Sequence, residues 1–146
     1  MQKFQFALEK ALEWRTTRLQ LENAKLAKLR QERSALLQLA KALVESGKGA
    51  ASGMLEGAQS LTGADLSSLA TYRQNISARV KKLVATTRHC DRQIERQTKC
   101  VVEADREKQL LEKLRERQFE EWNYELKREI ENTAGELFLA RWTPSS

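Results

Sequence analysis

Few residues in this chain could carry chemistry. Cys90 and Cys100 lie ten positions apart, His89 is the single histidine, and the acidic side chains are spread along the sequence. Ten helical residues rise about 15 Å, so the two cysteines cannot bridge each other on one helix. They read as small seam hydrophobes of a reducing cytoplasm. His89 adjoins Cys90, yet neighbouring helix positions point in different directions. No CxxC or HxxxH spacing accompanies the pair, so it suggests no metal site and His89 reads as solvated. There is no glycine-rich loop followed by Lys-Ser or Lys-Thr, and no GxSxG. The carboxylates alternate with lysine and arginine as on solvated helix faces, where they serve i,i+4 pairing. The chain is therefore expected to be a non-enzyme, with no catalytic residue, no metal ligand and no cofactor.

The elements that must position these side chains are long helices. Charged residues make up 32% of the 146, with one proline and six glycines, which is unusual for a compact globule. Apolar residues recur at alternating steps of three and four through Leu8, Leu12, Leu19, Leu26, Leu29, Leu36, Ala40 and Leu43. A second series runs through Leu66, Leu69, Ile76, Val80, Leu83, Cys90, Ile94, Val101, Ala104 and Leu111. Both are narrow heptad seams, too thin for a thick core, so each helix must lie along a partner. Between them, residues 45–63 hold five of the six glycines. Gly47 is placed to end the first helix, and Thr62 with Asp65 has the form of a capping box that starts the second.

The expected fold is all-α: a long two-helix antiparallel coiled-coil hairpin, the second helix longer than the first. It is read as one domain over residues 1–146, with helix one about 3–46, a glycine-rich turn about 47–63, helix two about 64–132 and a tail over 133–146. A parallel dimer shares the same heptad code, and the glycine-rich turn favours the hairpin. If Leu43 faces Leu66, Leu8 falls opposite Val101 and the second helix overhangs the first. An extra turn wound from residues 54–60 would shrink that overhang. Beyond Leu111 the seam continues through Leu114, Gln118, Trp122, Leu126 and Ile130, mostly in steps of four that drift around the helix and suit a two-stranded coil poorly.

Charge and aromatic content are both uneven. Residues 1–48 carry ten basic and five acidic side chains, residues 64–102 eight and three, and residues 103–131 seven and ten. Arg88, Arg92, Arg96 and Lys99 follow at steps of four, four and three and form one basic stripe, read either as a solvated face or as a dock for an acidic protein surface or phosphates. No aromatics interleave with it, so nucleic acid is not expected as a partner. Of nine aromatics, Phe4, Phe6, Trp14, Phe119, Trp122, Tyr124, Phe138 and Trp142 lie in the terminal portions and only Tyr72 lies elsewhere. Phe4, Phe6, Trp14, Phe119 and Trp122 are candidate partner-binding residues, since large aromatics with low rotamer entropy are favoured interface anchors. Arg88, Arg92 and Arg96 join them as the candidate basic dock. The start MQKFQFALEK lacks an apolar h-region and no run approaches eighteen apolar residues, so the protein is expected to be soluble and cytoplasmic.

FQFALEKALEWRTTRLQLENAKLAKL near the start, REKQLLEKLRERQFEEWNYELKREIEN later and AGELFLARW beyond it resemble the flagellar export protein FliJ family and its type III secretion relatives. The resemblance covers nearly the full length. It implies an antiparallel coiled coil similar to the central stalk of rotary ATPases, bound to the hexameric export ATPase. It also implies contact with an export gate protein and with traffic of export chaperones, in the cytoplasm and peripherally at the inner face of the cell membrane. Carried onto this chain, the end bearing both termini enters or caps the ATPase ring, and the exposed body touches the gate. Two other readings stand beside it: a cytoplasmic coiled-coil scaffold or adaptor of another pathway, and a basic nucleic-acid-binding hairpin.

Overall fold

The computed structural model describes residues 2–57 and 62–142. They form two helices, α1 over Glu9–Gly57 and α2 over Gly63–Trp142, with no strand among the described residues. The fold is an all-α two-helix hairpin whose second helix is the longer. The chain divides into two compact units, one of residues 1–21 with 102–146 and the other of residues 22–101.

In the unit of residues 22–101, the apolar heptad positions are the covered ones except at Leu66, expected in the seam but 51% exposed. Leu26, Leu29, Leu36, Ala40 and Leu43 of α1 turn inward, as do Leu69, Ile76, Val80, Leu83, Cys90 and Ile94 of α2. Leu26 is 6% exposed, Cys90 5% and Thr87 7%. Polar groups inside this thin seam are answered: the Thr87 hydroxyl donates to the Leu83 carbonyl at 2.8 Å, and the Gln97 amide donates to the Glu22 carbonyl at 3.0 Å and also to its carboxylate. Leaving such groups unpaired would cost the full desolvation penalty. The Cys90 thiol lies 3.4 Å from the Leu29 carbonyl, which makes it a packed seam residue, whereas Cys100 is exposed and takes no part in the seam.

Helix boundaries depart from the expected ones for identifiable reasons. Gly47 does not end α1; no glycine among the described residues has a positive φ, and the helix runs on to Gly57. The seam itself continues past Leu43 through Gly47, Ala51 and Met54. At Gly47 the missing side chain serves close approach, because a Cβ there would sit 3.1 Å from the Ile76 Cδ1. Of the expected turn, residues 47–57 and Gly63 are helical, and residues 58–61 lie outside the described residues. The longer α1 also moves the register. Glu9, next to Leu8, accepts from Arg115 at 3.1 Å, so the partner of this stretch is not Val101 but a segment about four turns further along α2.

Asp65 and Thr62 form the expected reciprocal cap: the Thr62 N–H donates to the Asp65 carboxylate at 3.1 Å, and the Asp65 N–H to the Thr62 hydroxyl at 3.2 Å. The Thr62 side chain first, and its backbone N–H second, hold the Asp65 carboxyl below its ordinary pKa. A carboxyl depressed in the folded state stabilises it above the unfolded pKa, and that contribution is lost as pH falls through the folded pKa. Thr62→Ala is therefore expected to lower the melting temperature near neutral pH. In thermal melts, its deficit against the parent chain should narrow as acid protonates Asp65; a deficit that stays constant to low pH would mean the carboxylate takes no part in the cap.

In the unit of residues 1–21 and 102–146, Ala104 is the most buried side chain, at 1% exposed. Glu107 accepts from both Arg15 and Arg18, and Glu9 from Arg115. The first helix was expected from residue 3, yet residues 2–8 are not helical. On a helix Phe4 and Phe6 would point about 200° apart. The non-helical arm lets both contribute to packing: Phe6 is buried and Phe4 partly so. The arm also changes the fate of the drifting seam. Leu114, Gln118, Trp122 and Leu126 are all partly covered, and only Ile130 is exposed. A non-helical arm needs no heptad register, so steps of four on α2 do not prevent cover. Lastly, residues 133–142, expected as a tail, continue α2; residues 143–146 lie outside the described residues.

Candidate partner-binding surfaces

Phe4, Phe119 and Trp122 are brought together as one aromatic cluster. Phe119 and Trp122 are three apart and share a helix face; their rings stack with centroids 5.8 Å apart. Phe4 of the arm meets Phe119 edge-on at 5.2 Å and Trp122 at 5.9 Å, within the range of favourable aromatic pairs. The cluster is only half closed, because Phe119 remains 46% exposed. A shallow groove beside it is lined by Phe4, Leu12, Glu112, Arg115, Glu116 and Phe119. Phe6 is too buried to meet a partner directly and anchors the arm instead.

Trp14 is separate from that cluster. It is 58% exposed, with the Arg15 guanidinium 4.8 Å and that of Arg18 5.8 Å from its ring centre. Both arginines are held by Glu107. A ring flanked by tethered cations is a preorganised apolar and cationic contact of low entropy cost. Sequence reading missed Glu107, the carboxylate that positions this group. Heptad spacing places it beside the seam, but only the observed register puts it opposite Arg15 and Arg18.

Arg88, Arg92, Arg96 and Lys99 are all exposed in the unit of residues 22–101. Among the described residues none of the four enters an ion pair, whereas Asp91, between Arg88 and Arg92, pairs with Arg33 of α1. That unit carries fourteen basic and seven acidic side chains, against twelve and thirteen in the other. Unpaired cations on one face keep their field for an anionic partner, and the field is screened over about 8 Å at physiological ionic strength. Arg88→Glu with Arg92→Glu is expected to leave helicity intact and to weaken docking of an acidic partner protein. Docking unchanged in that double variant would return the stripe to a solvated face.

Among the described residues no group of three or more His, Cys, Asp and Glu could hold a metal ion, and no helix is long and apolar enough to cross a membrane. No protein-family model, curated protein or solved structure matches the chain.

Proposed function

We propose that this chain is a non-enzymatic component of a flagellar or type III protein export apparatus. It acts as a stalk-like coiled coil that binds a hexameric export ATPase and links it to an export gate protein and to chaperone traffic. The observation that carries this reading is the half-exposed cluster of Phe4, Phe119 and Trp122 on an otherwise charged helix, in the unit that holds both terminal segments. A stalk must present an asymmetric surface to a pseudo-symmetric ring without binding irreversibly, and a small aromatic anchor rimmed by charge suits that task. The basic unit of residues 22–101, with Arg88, Arg92 and Arg96 exposed, supplies a second contact for an acidic gate surface. The same reading places the protein in the cytoplasm, peripherally at the inner face of the cell membrane.

The direct test adds the purified chain to a cognate export ATPase and measures hexamer formation and ATP hydrolysis. Promotion of either supports the proposal. An ATPase indifferent to the chain at saturating concentration would overturn it in favour of a coiled-coil scaffold of another pathway.

A further inference from the structure

Residues 127–142 of α2 are exposed without a break. A solvated single helix of that length is marginal in water, and Asn132, Thr133 and Gly135 lower its propensity further. It nevertheless carries large apolar side chains: Ile130 is 59% exposed, Leu137 66%, Phe138 60% and Trp142 72%. At 100° per residue, Ile130, Ala134, Leu137, Phe138 and Trp142 fall on one broad face, with Glu131 and Arg141 on it and Glu129 and Glu136 on the opposite side. Phe138 and Trp142 already lean together, their ring centres 6.0 Å apart.

We propose that this face pairs with the same face of a second copy of the chain, as an antiparallel helix pair with two-fold symmetry. Charge selects the arrangement. A parallel pair would set Glu131 against Glu131 and Arg141 against Arg141. An antiparallel pair with Phe138 opposite Ala134 sets Glu131 against Arg141 twice, once on each side of the axis. The large Phe138 of each copy thus meets the small Ala134 of the other. Slipping this pair by four residues would bring Lys127 against Arg141 and is disfavoured. The exposed parts of the four large side chains amount to roughly 500 Å², towards the upper end of the apolar patch a monomer leaves open. Two copies together bury at most about 1,000 Å², the lower bound for a specific interface. The dimer is accordingly weak and reversible, with dissociation in the micromolar range. This inference does not rest on the export reading, and its test contains no ATPase.

Sedimentation equilibrium of the full-length chain across micromolar concentrations should show a monomer–dimer equilibrium. Glu131→Arg and Arg141→Glu, each alone, should raise the dissociation constant by roughly tenfold, because both ion pairs become like-charge pairs. The double variant Glu131→Arg/Arg141→Glu should return to within about threefold of the parent, as should an equimolar mixture of the two single variants. Leu137→Glu should leave the chain monomeric, and circular dichroism of each variant confirms that the rest of the hairpin is intact. A parent chain that stays monomeric throughout the range would overturn the proposal. So would a dimer indifferent to the single charge reversals, which would point to a parallel pair or to another face.

Discussion

On the proposed export reading, the double variant Phe119→Ala/Trp122→Ala is expected to lose association with the hexameric export ATPase by roughly 100-fold, the effect of removing two interface anchors worth about 3 kcal/mol together. These rings are not idle in the free protein. Phe4 packs against both, so the variant should also lose some thermal stability in the unit of residues 1–21 and 102–146. Phe4→Ala separates the two roles. It removes the intramolecular contact while leaving Phe119 and Trp122 in place, so it should lower the melting temperature and cost less association than the double alanine. If Phe4→Ala and the double alanine lose association in the same proportion as stability, the cluster is only a clasp for the arm. The contact with the ring would then have to be sought at Trp14.

Leu26→Asp is expected to unfold the pairing of α1 with α2 over residues 22–101. In a seam this narrow few large side chains leave water almost entirely; Leu26 does, at 6% exposed. Truncation of a buried leucine costs about 2–5 kcal/mol, and the aspartate adds an ionised group with no partner in the seam. Leu39, also on α1 but off the seam, is 52% exposed, and Leu39→Asp should change stability by no more than about 0.5 kcal/mol. Thermal melts followed by circular dichroism give both values. Comparable losses at the two positions would mean that the heptad seam is not what holds the hairpin.

Much of the site was readable residue by residue. Phe119 and Trp122 are three apart on an uninterrupted helical pattern, which suffices to put them on one face. Arg88, Arg92 and Arg96 share a face for the same reason, and their exposure follows from lying off the seam. Nothing in the spacing showed that Phe4 would reach that aromatic pair. The clue lies in FQF, whose period of two suits an extended arm and not a helix, but two residues are too short a pattern to outweigh the helical run that follows. Gly47 misled in the opposite direction. Glycine most often ends a helix through a left-handed residue, and here it continues one because Ile76 needs the space. Gly47, Ala51 and Met54 do follow Leu43 at steps of four, four and three, and small residues at a and d hide a seam that is nonetheless continuous.

Two long helices with a capped start to the second follow from local patterns, because heptad spacing and the Thr62–Asp65 box are set by helix geometry alone. The same geometry sets which residues face the partner helix: Thr87, Cys90, Ile94 and Gln97 lie on the seam that the three-four spacing marks. Which turn of one helix meets which turn of the other is fixed by packing between distant residues. A heptad repeat is satisfied equally well after every slip of seven residues, so register is chosen by a few non-repeating contacts: Gly47 against Ile76, Arg15 and Arg18 on Glu107, and Phe4 on Phe119 and Trp122. Each of these joins residues far apart in the chain, where no local pattern can reach.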